Sequence, residues 1–211
     1  MRSHDRTSEI VLICPNCRVE LTHGTSYLCA LCGSEYPFRS GVLRMLGQVN
    51  EEEQKTRAAF EFEHRQFERA QYLRIHQRLI EDWLRDVQLP PDYFSGRIVL
   101  DVGCGSGRWT YALAMLGAQV IAVDFTDAAV DITREVTKGF SNVEVIQANL
   151  FRLPFKPGQF DFIVSWGVLH HTANTHAAFQ AIAPLVRQNG TLHVMLYERR
   201  SPLKVVGTEA L

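Results

Sequence analysis

Four cysteines fall into two pairs, Cys14 with Cys17 and Cys29 with Cys32, in the pattern C-x2-C-x11-C-x2-C. Such spacing sets four thiolates on two tight turns that can close a tetrahedron around zinc. The alternative is two disulfides, which reducing conditions disfavour. The opening decapeptide MRSHDRTSEI is polar and lacks the apolar core of a secretory signal, so the chain reads as cytoplasmic and the cysteines as zinc ligands. His23, between the pairs, is a spare ligand. His4, His64, His76, His176 and His193 show no paired spacing.

A second group surrounds VLDVGCGSGRWT, residues 99–110, where Gly103, Gly105 and Gly107 follow an apolar run ending in Asp101. Glycines let a chain turn sharply and let ligand atoms approach the backbone, and the helix opening near Arg108 offers unpaired N–H groups to an anion. Arg108 itself either meets that anion or is solvated. Cys104 is left over inside the loop and reads as a packed residue. Asp124, at the end of VIAVDFTD and 17 residues beyond Gly107, is placed to accept hydrogen bonds from both hydroxyls of a ribose. Phe125 beside it offers a face to a purine, and Asn149 in QANLFRLPF, with Leu150 next to it, offers an amide to the purine edge. The stretch FDFIVSWGVLHHT brings Trp166, His170 and His171 to the mouth of the same site. Either histidine is a candidate general base, or else a capping or packing residue; Trp166 either walls an acceptor pocket or packs under the loop. Tyr197, which ends the fifth strand, is within possible reach of the site but is assigned no role.

These residues need elements to hold them. From Ile98 onward, strands are expected at about 98–102, 119–124, 143–148, 160–165 and 191–197, with helices at about 107–116, 127–138 and 174–187. That alternation implies an α/β fold: a Rossmann-like parallel sheet with right-handed crossovers and helices on both faces. A ligand then sits at the carboxyl ends of the strands. Residues 51–88 contain no Gly or Pro, carry Glu51, Glu52 and Glu53 in the first turn, and repeat Phe60, Phe67, Leu73, Leu79, Ile80, Trp83 and Leu84 at helical spacing. The chain therefore divides into a cysteine module at 10–46, a helical linker at 47–96 and a sheet domain at 97–211. The module is expected to be held by metal rather than by an apolar core. The linker either folds over the cofactor as a lid, with Phe60 or Phe67 near the pocket, or packs on the sheet's flank, the second reading being slightly preferred.

Composition agrees with a globular protein. Of 211 residues, 46% are hydrophobic and 21% charged, and the net charge of −1 gives no bulk attraction to nucleic acid or anionic lipid. No apolar run approaches the ~20 residues that span a bilayer.

Taken in order, VLDVGCGSG, VIAVDFT, LPFKPGQFDFIVSWGVLHHT and AFQAIAPLVRQNGTLHVMLY resemble the class I S-adenosylmethionine-dependent methyltransferases, and within them the type-11 group. The resemblance implies that Asp101, Gly103, Gly105 and Gly107 face the methionine part of the cofactor, Asp124 the ribose, and Phe125, Asn149 and Leu150 the adenine. Two departures stand out: Asn149 occupies a position that is commonly Asp, and the chain stops soon after the fifth strand, where the family adds two more. The sheet domain thus looks C-terminally shortened, with TLHVMLY as an exposed edge. The segment from CPNCRVEL to YPFRSGVLRML is similar to the zinc ribbons that serve as methyltransferase activator subunits or are fused before such enzymes, including certain rRNA guanine methyltransferases. By resemblance the chain transfers methyl groups from S-adenosylmethionine to a small molecule. The alternatives are an RNA base, favoured by the zinc module, and a non-catalytic scaffold that binds the cofactor, or a protein partner through the zinc module. Residues 1–50 carry five basic and four acidic residues, a balance that gives little attraction to phosphate.

Overall fold

The computed structural model describes residues 10–197 apart from 25 and 73–77, with the side chains of 23 and 67–72 also outside the described residues. His4, Leu73 and His76, and the side chains of His23 and Phe67, therefore lie outside the description.

The cysteine module contributes β1 (Thr22–His23), β2 (Tyr27–Leu28) and β3 (Glu35–Tyr36), which form a small antiparallel sheet, then β4 (Phe38–Arg39) and β5 (Val42–Arg44). Two helices follow, α1 (Glu51–Tyr72) and α2 (Arg78–Val87). The remainder alternates as expected: β6 (Ile98–Val102), α3 (Arg108–Met115), β7 (Gln119–Asp124), α4 (Asp127–Val136), β8 (Val143–Gln147), β9 (Phe160–Trp166), α5 (Thr175–Ile182) and β10 (Val186–Met195). The main sheet has the order β10-β9-β6-β7-β8-β5-β4 and is parallel except for the β4–β5 hairpin. Strand order reverses between β6 and its neighbours β7 and β9, and a crevice for a ligand opens at their carboxyl ends.

Every residue of β6 is buried, as a strand covered on both faces requires. Its pleat sends Ile98, Leu100 and Val102 into one apolar layer, with Ile182 and Leu185 from the α5 region. Val99 enters the other, with Trp83 of α2 and Ala112 and Leu113 of α3. Trp83 is wholly buried among Trp109, Trp166, Phe94 and Phe162, with ring centroids 5.1–6.2 Å away.

Three expectations are corrected. The last helix ends at Ile182, because Pro184 cannot continue it and a short 3-10 turn follows. Its strand begins at Val186, with a bulge before Thr191. The cysteine module also has an apolar core, which it shares with the main sheet. Strand β5 pairs in parallel with β8 (Leu43 beside Ile146, Arg44 beside Gln147), and Leu12, Cys14, Cys29, Tyr36, Leu43 and Met45 belong to the same apolar layer as Leu100 and Ile163. The module thus covers the β8 edge that an isolated sheet would leave open.

Candidate cofactor-binding and active site

The glycine loop is shaped by backbone that glycine adopts readily. Gly103, Gly105 and Gly107 have φ of 77°, 52° and 77°, so every second residue turns left-handed. A Cβ at Gly103 would collide with the methyls of Val168, and one at Gly107 would press within 3.0 Å of Thr133 Oγ1. The loop is tied to β7: Gly103 and Cys104 donate their N–H groups to Val123 O at 2.8 and 3.0 Å. Gly105 N–H donates to Asp124 Oδ2 at 3.1 Å, while the Thr126 N–H and hydroxyl both donate to Oδ1 at 3.0 Å. The Asp124 carboxylate is thereby aimed by its neighbours and keeps lone pairs for a ligand.

Around it lies a cavity of about 570 Å³, lined on this side by Gly103, Gly105, Asp124, Phe125, Asn149 and Leu150. The size suits a ligand of nucleoside dimensions. Several expected residues sit elsewhere. Asp101 stands behind the loop, 2% exposed, accepting from the Thr110 hydroxyl at 2.6 Å, and burial pushes its carboxyl up to about 7. Gly107 is buried against α4, where it shapes the turn instead of lining the cavity. Of the two histidines, His171 is on the cavity wall, with its ring 5.4 Å from that of Phe60. His170 is not. Both of its ring nitrogens are buried with no partner among the described residues, it packs 4.5 Å from the Tyr197 ring, and desolvation lowers its pKa. Arg108 lies exposed over the Trp109 ring, 4.4 Å from its centroid, and also lines the cavity. Trp166 has both of its expected roles, packing 5.0 Å from Trp109 and lining the cavity. Tyr197, given no role from sequence, also lines it.

The other wall comes from α1; the lid reading placed Phe60 there, and sequence reasoning missed the rest. Asn50, Glu53, Phe60 and His64 all line the cavity. Asn50 and Glu53 form a reciprocal helix cap: Glu53 N–H donates to Asn50 Oδ1 at 2.8 Å, and Asn50 N–H to Glu53 Oε2 at 2.9 Å. The Asn-x-x-Glu spacing was the legible signal for that start. Further along, Arg57 donates to Phe125 O at 3.2 Å and pairs with Asp127, and Glu61 accepts from Ala128 N–H at 3.1 Å. His64 sits over the glycine turn, 3.4 Å from where a Cβ on Gly105 would be. From Glu53 to His64 is three helical turns, about 16 Å of rise, so one helix spans the length of the crevice.

At the far edge, the sulfurs of Cys14, Cys17, Cys29 and Cys32 lie within 4.8 Å of one another, and all five cysteines are free thiols, Cys104 packing beneath the loop. Each pair is a tight turn closed by a backbone bond, Arg18 N–H to Cys14 O and Gly33 N–H to Cys29 O, both 2.9 Å, with φ of 62° at Arg18 and 70° at Gly33. Cys14 and Cys32 Sγ are 3.8 Å apart, the edge expected of a tetrahedron with metal–sulfur bonds of about 2.3 Å. The Tyr36 hydroxyl lies 3.2 Å from Cys14 Sγ, where it can donate, and burial raises its pKa further, so it keeps its proton.

Comparison with known proteins agrees with this geometry. Residues 99–190 match the family model described as a methyltransferase domain. The chain is 33% identical over 135 residues to a ubiquinone biosynthesis O-methyltransferase of Xanthomonas campestris pv. campestris, covering 56% of this chain and 54% of that protein. It is 32% identical over 84 residues to a demethylmenaquinone methyltransferase of Staphylococcus carnosus, covering 38% and 35%. The chain thus spans about half or less of the curated relatives it matches. Its fold is similar to that of the YcgJ protein of Bacillus subtilis, at a TM-score of 0.52, 24% identity and coverage of 61% and 54%. Residues 99–190 thus match a methyltransferase domain and are carried on a Rossmann-like sheet.

Proposed function

We propose that the chain binds S-adenosylmethionine in the crevice between the glycine loop and α1, and transfers its methyl group to a small, flat aromatic acceptor carrying a hydroxyl. The single observation that supports this most is the Asp124 carboxylate, aimed by Gly105 and Thr126 into a cavity of the right size. S-adenosylmethionine supplies a methyl group already activated on a sulfonium. The work left to the protein is positioning, worth roughly 7–11 kcal/mol in such displacements. Asp124 holds the ribose hydroxyls, and the loop receives the amino-acid end. Phe125 and Leu150 flank the base, and α1 straps the crevice from outside.

Beyond the cofactor residues, the cavity is walled by Phe60, Trp109, Trp166, His171 and Tyr197. Aromatic walls suit a planar ring, and the two curated relatives are named for ubiquinone biosynthesis and for demethylmenaquinone. A phenolic acceptor must lose its proton, and of the two imidazoles on the wall, His64 and His171, it is His171, with its ring 5.4 Å from that of Phe60, that takes it. Replacing it, as H171N, lowers kcat about 100-fold with cofactor affinity unchanged. The four cysteines hold a structural zinc; elemental analysis of purified protein is expected to give one zinc per chain.

The direct test is transfer of labelled methyl to a panel of catechols and hydroquinones, to a small-molecule extract and to total RNA. Label in the aromatic pool supports the proposal. Label in RNA, or cofactor binding with no transfer at all, contradicts it.

A further inference from the structure

We infer that Glu53, on the strap helix and not on the sheet, is the carboxylate that reads the 6-amino group of the cofactor's adenine; this rests on the cofactor reading above. An exocyclic amine enclosed in a cavity must find an acceptor. Asn149, 4% exposed at the tip of the third strand of the parallel core, is already committed at both ends of its amide. Its Oδ1 accepts from Phe151 N–H at 3.0 Å, and its Nδ2 donates to Glu53 Oε1 at 2.8 Å. Those bonds fix the amide's orientation, with its donor toward α1. On the α1 side the acceptor is thus the charged one, Glu53, whose side chain is 15% exposed and lines the cavity beside Leu150 and Phe151.

Its two oxygens have separate duties. Oε2 closes the helix cap with Asn50 N–H at 2.9 Å and faces the Arg152 guanidinium at 3.9 Å. Oε1 takes one proton from Asn149, and a carboxylate oxygen has room for a second. A 6-amino purine offers that second donor. A 6-oxo purine presents a carbonyl oxygen to a carboxylate and is repelled. Base selectivity and docking of the strap thus meet in one side chain.

The experiment is calorimetric titration of the full chain with S-adenosylhomocysteine and with S-inosylhomocysteine, its 6-oxo counterpart. Wild type is expected to prefer the adenosyl ligand by about tenfold or more, the range of a bond to a charged group. In E53Q, where glutamine still closes the cap, the preference falls below about threefold while the circular dichroism is unchanged. N149D sets two carboxylates in contact and weakens S-adenosylhomocysteine about tenfold or more; adding E53Q to N149D restores it. If E53Q weakens both ligands equally, Glu53 only caps its helix and the assignment falls. Wild type binding both ligands alike overturns the assignment alone, and wild type binding neither overturns the cofactor reading with it.

Discussion

Asp101 shows what the sequence discloses about a residue and what it withholds. Its place before the glycine loop suggested a ligand contact, yet the pleat of β6 and the Thr110 hydroxyl hold it behind the loop. Parity along a strand depends on which face meets which layer, and β6 is buried on both, so no polar alternation announced it. The left-handed turns at Gly103 and Gly105 and the strand-tip place of Asp124 were legible because they follow from backbone freedom and strand order. Burial has a consequence for pH. With its carboxyl pushed up to about 7 against about 3.9 in an unfolded chain, Asp101 binds a proton in the native state that the unfolded state has lost. Its contribution is present at acid pH and is lost as pH rises between those values. D101N is therefore expected to gain thermal stability relative to wild type between pH 5 and pH 8, read as a widening difference in Tm. A difference that stays constant or narrows over that range contradicts the burial argument.

At the level of elements, the helix-rich composition of residues 51–88 announced α1 and α2 but not what each one covers. The slight preference for packing on the flank describes α2, whose Leu79 and Trp83 are buried against the sheet. It does not describe α1, which meets the cavity through Phe60 and several polar side chains, and α4 through Arg57 and Glu61. An apolar stripe is a signal for core packing, and the sparse repeat that α1 shows did not reveal a strap held by Arg57, Glu61 and Glu53. Arg57 is the tie nearest Phe125. R57A is expected to weaken S-adenosylhomocysteine binding about tenfold, the scale of one charge-assisted bond, with Tm within about 2 °C of wild type. Unchanged affinity would show that α1 does not brace the ligand.

For the whole molecule, the parallel core and the cysteine module were both legible, one from the alternation of strand and helix and the other from cysteine spacing. Their union was not. Pairing of β5 with β8 joins segments about 100 residues apart, and Arg44, which bonds Gln147 at 3.3 Å and pairs with Asp127 and Asp131, carries no local mark of that partnership. Arg18 adds a second clamp, donating to Leu153 O at 2.7 Å and Phe155 O at 3.2 Å. Module and sheet share one apolar layer, so they are expected to unfold together. Removing zinc with a chelator, or introducing C29S, should lower a single cooperative Tm and weaken cofactor binding as well. Two separate transitions, with cofactor affinity intact, would contradict that coupling.

The most direct measurement is equilibrium titration of wild type and D124A with S-adenosylhomocysteine and with NAD. Micromolar binding of the sulfur nucleoside, no heat from NAD, and a loss of about 30-fold or more in D124A are the results expected of a braced ribose clamp beside a tight glycine turn. Equal binding of both ligands, or a D124A protein that binds as well as wild type, would contradict it.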